Sequence, residues 1–309
     1  STGPMPTLGH GDFLCSLLDL EVVVESLATG FLVECTAPPP DPERVDRCLT
    51  AARLQPGEPA DQRYRRAWDA VWHNLLRKYQ DRHAYLNELK RIEALRKEDW
   101  KASIKTVEGW LIVFSLLWGG HGYAQDLERL MGLLSRGLDA LNHAETVEVA
   151  LSDVRASSEG ASIIDAACLN AIGSPQKDIT VFGLDGRQVM LDPGVLSALI
   201  SEIRLQLAAV DGTLLDGTDM LDFPGGRALK GINGFGVDEL NSGSLDNAIE
   251  VYKRGKLTFL FERYAIEREI TALVLCSPGP TKPEAIQLQT QVERWLQIRH
   301  GRPTPSDPD

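Results

Sequence analysis

Apolar side chains recur every three or four positions through the first 142 residues, a pattern that predicts a helical subdomain over 1–142. The predicted helices span 13–33, 42–54, 60–97, 100–117 and 127–141. Asp12 is a candidate N-cap for the first helix, and we expect Gly30 to break that helix near its end. His121 lies in a glycine-rich stretch without a second metal ligand at suitable spacing, so we interpret the stretch as a helix stop.

Beyond residue 142 the hydrophobic pattern changes to the alternation that is typical of β-strands. The predicted elements are strands at 146–151 and 270–276, a strand ending at 222, a hairpin over 179–191, and helices at 193–207, 251–264 and 284–298. Asp185 and Gly186 form the turn of the hairpin. The sequence therefore predicts an α/β region over 143–301, followed by a tail over 302–309.

The stretch 219–227 combines strand signals with a chemically useful end. A buried strand would place Asp222 at its C-terminal tip, where ligands bind in open α/β sheets. A carboxylate there can hold a hydrated Mg²⁺, and the backbone N–H of Gly225 can approach a phosphate oxygen. Asp219 is a second candidate metal ligand. An ordinary Asp-x-Pro-Gly turn accounts for the same residues, so both interpretations stay open at this point.

Strand, D-x-x-G turn, glycine-rich segment, helix and strand follow one another in the order that a GTPase uses. The stretches that carry a closer likeness are 219–227, 254–256, 260–264 and 273–278, together with 116–119, 162–165 and 295–301. In these stretches the chain resembles the bacterial virulence factor SrfC family, whose members carry a dynamin-like GTPase region. The likeness covers residues 100–301 and, more loosely, the part before them.

The resemblance implies an α/β fold with a GTPase-like sheet of the P-loop NTPase type, present in part and joined to a large helical subdomain. It implies GTP binding, with Mg²⁺ held through water by Asp222 and the γ-phosphate sensed by the N–H of Gly225. It also implies a nucleotide-driven rearrangement that acts on membranes or host targets. The implied location is the bacterial cytoplasm or, after delivery, a host cell.

The chain departs from the family pattern at two motifs. No G-x-x-x-x-G-K-[ST] phosphate loop occurs: the only Gly-Lys pair is Gly255-Lys256, which is followed by Leu257 and has Glu250 in place of the first glycine. The guanine-reading [NT]-K-x-D motif is only imitated, at 281–284. We therefore expect the chain to be the middle part of a longer protein and not to hydrolyse GTP by itself.

Composition and charge narrow the set of partners. Thirty-two basic and 44 acidic residues give a net charge of −12, which argues against binding to nucleic acid, since that needs a clustered positive surface. Arg63, Arg65 and Arg66 are expected to form a solvated helix face, with an anion site as the alternative. No apolar run reaches the length of a membrane span. The five cysteines are odd in number and scattered, as is typical of buried thiols in a reducing compartment.

Other catalytic motifs are missing from the sequence. There is no G-x-S-x-G, H-E-x-x-H or C-x-x-C, so hydrolase triads and metalloenzymes have no starting point. Trp68 and Trp72 are expected to pack in the core. The rival hypothesis is a non-enzymatic interaction scaffold with a degenerate GTPase fold, whose helices bind a protein partner or a second copy. An exposed apolar helix face would favour it.

Overall fold

The computed structural model describes residues 11–35, 40–79, 83–94, 99–154, 163, 166–174, 177–204, 236–267 and 295–296. The chain divides into two compact units. The first contains residues 1–207 and 235–256, and the second contains residues 208–234 and 257–309. The first unit holds all the described strands and almost all the described helices.

Helices account for most of the described chain. They are α1 (Leu20–Glu34), α2 (Pro42–Leu54), α3 (Gln62–Tyr79), α4 (Ala84–Ala94), α5 (Val107–Ser115), α6 (Gln125–Ala140), α7 (Leu151–Val154), α8 (Pro193–Leu199) and α9 (Asp246–Ile266). Short 3₁₀ turns occur at Trp100–Ser103, Leu116–Trp118, Ala166–Ala171 and Val237–Leu240. The helices predicted at 42–54, 127–141 and 251–264 are confirmed by α2, α6 and α9.

Five strands form one antiparallel sheet in the order β4-β3-β2-β1-β5. They are β1 (Phe13–Leu17), β2 (Thr146–Val149), β3 (Ile179–Gly183), β4 (Gln188–Leu191) and β5 (Ile200–Arg204). The predicted hairpin is confirmed: β3 and β4 pair, with Val181 opposite Val189. Gly186 has φ +80°, a left-handed conformation that glycine adopts without strain and that closes the turn.

The predicted GTPase-like sheet remains a prediction, because its strands ending at 222 and spanning 270–276 lie outside the described residues. The antiparallel sheet is built from other segments. Its first strand, β1, lies within the stretch predicted to be a helical subdomain and pairs with β2 and β5. The division at residue 142 also stays a prediction.

The predicted helix over 13–33 was wrong in its first turns. Phe13–Leu17 is a strand, and the helix begins only after Asp19, whose Oδ1 accepts a hydrogen bond from the N–H of Val22 (2.9 Å). Asp12 caps another segment, since its Oδ2 accepts from the N–H of Leu151 (2.6 Å). An unbroken apolar run fits a buried strand as well as a buried helix, so the pattern alone could not separate them.

Three further helices were predicted too long. The helix expected to run to Leu207 ends at Leu199, and the chain continues as β5, which pairs with β1 and so satisfies its backbone groups in the sheet. The stretch 60–97 holds two helices, α3 and α4, in place of one. Similarly, Thr106 interrupts the stretch 100–117, because its hydroxyl accepts from the N–H of Gly109 (3.1 Å) and starts α5.

The crossing of α1 and α9 depends on two glycines. A Cβ at Gly30 would collide with the carbonyl of Val251, and a Cβ at Gly255 would collide with the carbonyl of Ser26. The two helix backbones therefore touch, which only glycine allows. The prediction that Gly30 breaks α1 was wrong, because α1 continues through it to Glu34.

Aromatic side chains fill the core between the helices, as predicted for Trp68 and Trp72. The rings of these two residues stack with centroids 6.0 Å apart, and Trp100 meets Trp68 edge-on at 5.7 Å. All three side chains are buried. Their burial contributes to stability, and their rings contact one another and do not line a ligand site.

Candidate functional site

The residues predicted to bind Mg²⁺ and phosphate, Asp219, Asp222 and Gly225, lie outside the described residues, so their roles stay predictions. In the part of the chain that the structure describes, no group of three or more His, Cys, Asp or Glu side chains is arranged to hold a metal ion. No helix in that part is long and apolar enough to cross a membrane. The functional geometry that can be described lies in the segments around the predicted switch.

Shortly after the predicted switch, the chain is fixed to the first turn of α6. Asp126 is 2% exposed, and its Oδ2 accepts hydrogen bonds from the hydroxyl of Ser242 (3.3 Å) and the N–H of Gly243 (3.2 Å). Arg129 donates from Nη1 to the carbonyl of Gly243 (2.8 Å). A buried carboxylate needs such donors, since an unpaired one would cost several kcal/mol.

Asn241 completes the attachment by using both ends of its amide. Its Oδ1 accepts from the N–H of Gln125 (3.0 Å), and so caps the N-terminus of α6. Its Nδ2 donates to the carbonyls of Tyr123 (2.7 Å) and Val237 (2.9 Å). We name these residues the switch anchor: Gln125, Asp126, Arg129, Asn241, Ser242 and Gly243.

Gly255-Lys256 is a structural element and does not form a phosphate loop. Both residues lie inside α9, where Gly255 contacts α1 and Lys256 faces the end of α8. The Nζ of Lys256 donates to the carbonyls of Ser197 (3.2 Å) and Ala198 (2.8 Å). The carbonyl of Ala198 also accepts from the hydroxyl of Tyr252 (2.9 Å). The ammonium thus satisfies carbonyls that the last turn of a helix leaves without intrahelical partners.

Burial lowers the pKa of Lys256 to about 7. Water is removed from around the ammonium, and the two carbonyls that face it supply dipoles but no full negative charge. Beside it on α9, Arg254 forms a largely buried ion pair with Glu34 of α1. Two cations therefore hold α9 against two different helices.

A chain of hydrogen bonds that no sequence pattern predicts links α3 to the end of α6. The hydroxyl of Tyr64 lies 3.1 Å from that of Ser135 and donates to Asp139 (3.2 Å). His143 Nε2 lies 2.9 Å from Asp139 Oδ1. Ser135, Asp139 and His143 are spaced four positions apart, as residues on one helix face are. The hydrogen bond from Tyr64 could not be predicted, because Tyr64 is distant from them in sequence. Burial raises the pKa of Tyr64 above its usual value, so it stays a neutral donor.

The loop that contains His121 confirms the predicted helix stop. Gly119, Gly120 and Gly122 all have positive φ, which ends the preceding helical turns. His121 Nδ1 lies 2.6 Å from Glu128 Oε2, and the N–H of Gly122 donates to the other oxygen of Glu128 (2.6 Å). The histidine is therefore part of the loop's own hydrogen bonding.

Burial makes three of the described cysteines poor nucleophiles. Cys15, Cys48 and Cys168 are buried, as predicted, and Cys35 is partly buried. Burial raises the pKa of Cys15 and of Cys35 to about 12, and it raises that of Cys48 as well. Because the thiolate is the reactive form, the thiols of Cys15, Cys35 and Cys48 are inert at neutral pH.

Two of the three arginines in the basic cluster on α3 are paired with carboxylates. Arg63 pairs with Asp61 (Nε to Oδ2, 2.9 Å), and Arg65 pairs with Asp99 (Nη2 to Oδ2, 3.2 Å). Arg66 donates to Gln62. These half-exposed pairs fit the predicted solvated face better than the anion site.

A groove of about 350 Å³ lies where the hairpin turn approaches the connection between α6 and β2. The charged residues that line it are Glu145, Asp185 and Arg187, and Val189 of β4 also lines it. Arg187 Nη2 lies 3.5 Å from Asp185 Oδ2, so these two charges offset each other. Glu145 is exposed and makes no ion pair within the described residues. The groove is therefore acidic.

A model of the protein family described as "Putative bacterial virulence factor" matches residues 90–308. The chain belongs to this family. No curated protein matches the chain, and neither does any solved structure. The matched residues of this virulence-factor family include the D-x-x-G stretch, the switch anchor and the groove beside the hairpin.

Proposed function

We propose that the chain is the switch-bearing part of a SrfC-like virulence factor, whose dynamin-like GTPase region binds GTP and Mg²⁺ in the longer protein. The observation that carries this proposal is the family match over 90–308, which includes the whole D-x-x-G stretch and all seven stretches that resemble SrfC proteins. In this role Asp222 holds Mg²⁺ through water, and the N–H of Gly225 contacts the γ-phosphate.

The switch anchor supports a conformational role for the nucleotide. A GTPase switch acts by changing its structure when the γ-phosphate is lost. Asn241 of the anchor follows Gly225 by 16 residues, so in this proposal a rearrangement at Gly225 is transmitted along the chain to the first turn of α6. The buried carboxylate of Asp126 would then lose its donors from Ser242 and Gly243. The output would be a change in the helical part of the first unit.

The first experiment measures binding of fluorescent GTP and GDP, with Mg²⁺, to this chain and to a version extended by its natural flanking sequence. We expect only the extended protein to bind, and Asp222→Ala to abolish that binding. Asp238→Ala, at an exposed position after the switch, is the matched control and should bind normally. Failure of the extended protein to bind GTP would overturn the proposal.

A non-enzymatic scaffold is the second candidate function, and the antiparallel sheet favours it. In α/β nucleotide-binding folds the ligand site lies at the C-terminal tips of parallel strands. Every pairing in the described sheet is antiparallel. If neither protein binds nucleotide while both remain folded, the scaffold becomes the better account.

A further inference from the structure

We propose that the groove beside the hairpin turn binds a small zwitterion, an α-amino acid with an apolar side chain. The ammonium group of the ligand pairs with Glu145, and its carboxylate pairs with Arg187. Binding here requires no nucleotide, and it holds whether or not Asp222 binds Mg²⁺. The site also differs from the helix surfaces through which a protein partner would bind, because it lies at the end of the sheet.

The strand register places the two charged residues on one face of the sheet. Val147 lies opposite Gly183, whose N–H donates to the carbonyl of Arg187 (2.7 Å), so these three residues stand side by side on neighbouring strands. The N–H of Leu17 donates to the carbonyl of Glu145 (2.9 Å), which continues the ladder between β1 and β2. Because Glu145 precedes Val147 by two residues, their side chains lie on the same face.

Glu145 and Arg187 do not pair with each other, and the groove separates them. Two strand spacings across the sheet and two residues along it put their Cα atoms about 12 Å apart. Within the described residues Glu145 makes no ion pair, and the ion pair of Arg187 is with Asp185. The volume of the groove, about 350 Å³, is at the lower end of the range for small-molecule sites and suits a ligand the size of one amino acid.

Both charged groups have free hydrogen-bonding capacity. The Nη2 of Arg187 approaches Asp185 Oδ2 only to 3.5 Å, which is beyond the usual range of hydrogen-bond distances. In the part of the chain that the structure describes, no acceptor takes a hydrogen bond from this guanidinium and no donor reaches the carboxylate of Glu145. A guanidinium binds a carboxylate through two parallel hydrogen bonds. A zwitterion therefore satisfies both groups, whereas a ligand with one charge satisfies only one.

A glycine and three apolar side chains shape the groove between the charges. A Cβ at Gly183 would lie 2.5 Å from Oδ1 of Asp185, so any larger residue would enter the groove. Leu141, Val147 and Val189 also line it. Burial of apolar surface against these side chains favours a ligand whose own side chain is apolar.

Both ends of the groove are held by hydrogen bonds before any ligand binds. The N–H of His143 donates to the carbonyl of Leu138 (2.8 Å) and closes the end of α6, with Asn142 in a left-handed conformation (φ +51°). In the hairpin turn, Oδ1 of Asp185 accepts from the N–H of Arg187 (3.0 Å). A pre-formed site loses little conformational entropy on binding, which favours affinity for a small ligand.

The probes are L-leucine, L-leucinamide, which has no carboxylate, and N-acetyl-L-leucine, which has no ammonium group. Each is titrated against the full chain by calorimetry, and amide NMR spectra locate the site. We expect leucine to bind and to shift the amide signals of the residues that line the groove. Each of the other two probes should bind about tenfold or more weakly, because one charge-assisted contact is lost.

Variants of the chain assign each contact to its residue. Arg187→Gln should bind leucine and leucinamide equally, and Glu145→Gln should bind leucine and N-acetyl-leucine equally. Both side chains are exposed, so these variants should fold like the parent chain. Arg204→Gln is the matched control, since Arg204 also pairs with a carboxylate two residues away, that of Glu202 (3.0 Å), but lies outside the groove. This control should keep the parent's order of affinities.

Three results would overturn the proposal. The first is that the folded chain binds neither leucine, methionine nor phenylalanine at millimolar concentration. The second is that leucinamide binds as tightly as leucine, which would indicate a site for simple amines. The third is binding of leucine that neither Glu145→Gln nor Arg187→Gln weakens.

Discussion

The α1–α9 crossing and the β3–β4 hairpin differ in how closely their backbones are packed: the crossing is buried, whereas the outer edge of the hairpin is exposed. At the crossing, Gly30 and Gly255 bring two helix backbones into contact, and the Arg254–Glu34 pair lies beside them, largely buried. At the hairpin, backbone groups of β4 point outward and Met190 is exposed. The crossing has no room for a larger side chain. At the hairpin, by contrast, no hydrogen bond from a described residue reaches the outward backbone groups of Gln188 and Met190.

This difference separates residues that hold the fold together from residues that are available to a partner. Buried, closely packed positions respond strongly to a change in volume, because neighbouring backbone cannot move aside at low cost. Exposed edge positions respond weakly in stability and strongly in binding. The same substitution should therefore have very different effects in the two regions.

The largest effect is expected at the crossing. Gly255→Ala places a Cβ against the carbonyl of Ser26 and should lower the free energy of unfolding by about 3 kcal/mol. Gly132→Ala in α6 is the matched control, because the nearest atom to its new Cβ is Arg136 Nη1 at 3.6 Å. That control should be neutral or stabilising by up to about 1 kcal/mol. Urea unfolding measures both, and equal effects would show that the helices are not in backbone contact.

A smaller effect, visible only as a function of pH, is expected from Lys256. Its pKa in the folded chain, about 7, is lower than in the unfolded chain, so between the two values the unfolded chain binds more protons. The free energy of unfolding contributed by this residue should therefore rise as pH increases above 7. Chemical unfolding between pH 7 and 9 should show this rise in the parent chain and its loss in Lys256→Met.

Lys253→Met is the control for this measurement. Lys253 lies one turn earlier on α9 and pairs with Glu250 (2.8 Å). This variant should keep the pH dependence of the parent chain. A rise of the same size in Lys256→Met would show that the buried ammonium is not its source.

The smallest effect is expected at the hairpin. Met190→Lys changes an exposed edge position, so the free energy of unfolding should change by less than about 0.5 kcal/mol. Thermal unfolding checks this. A loss above about 2 kcal/mol would mean that Met190 supports the fold and is not a free surface residue.

Local sequence patterns correctly predicted the elements whose formation depends on residues close together in the chain. The hairpin was predicted because alternating residues and a D-G turn lie within one short stretch, and α2, α6 and α9 were predicted from helical periodicity. The strand β1 was missed because the apolar positions between Phe13 and Leu27 are compatible with both a strand and a helix. In the same way, β5 was missed because Ile200 and Ile203 also fit the period of the preceding helix.

The described sites depend on contacts between distant segments, which no local pattern contains. Gly30 was interpreted as a helix break because its partner on α9 could not be known. Lys256 follows Gly255 and so resembles part of a phosphate-loop motif. Its hydrogen-bond partners, Ser197 and Ala198, are distant in sequence and could not be predicted from that pattern. The D-x-x-G prediction for Asp222 and Gly225 is local in the same sense as the hairpin, and it remains to be tested by nucleotide binding.

The position of β1 in the sheet has a consequence for synthesis on the ribosome. β1 comes first in sequence among the described strands, yet it lies between β2 and β5. Ser16 of β1 and Ser201 of β5 are 185 residues apart. At ordinary rates of translation, β1 must wait roughly 10 to 40 s before both of its neighbours exist. During that interval at least one edge of β1 stays unpaired in the nascent chain.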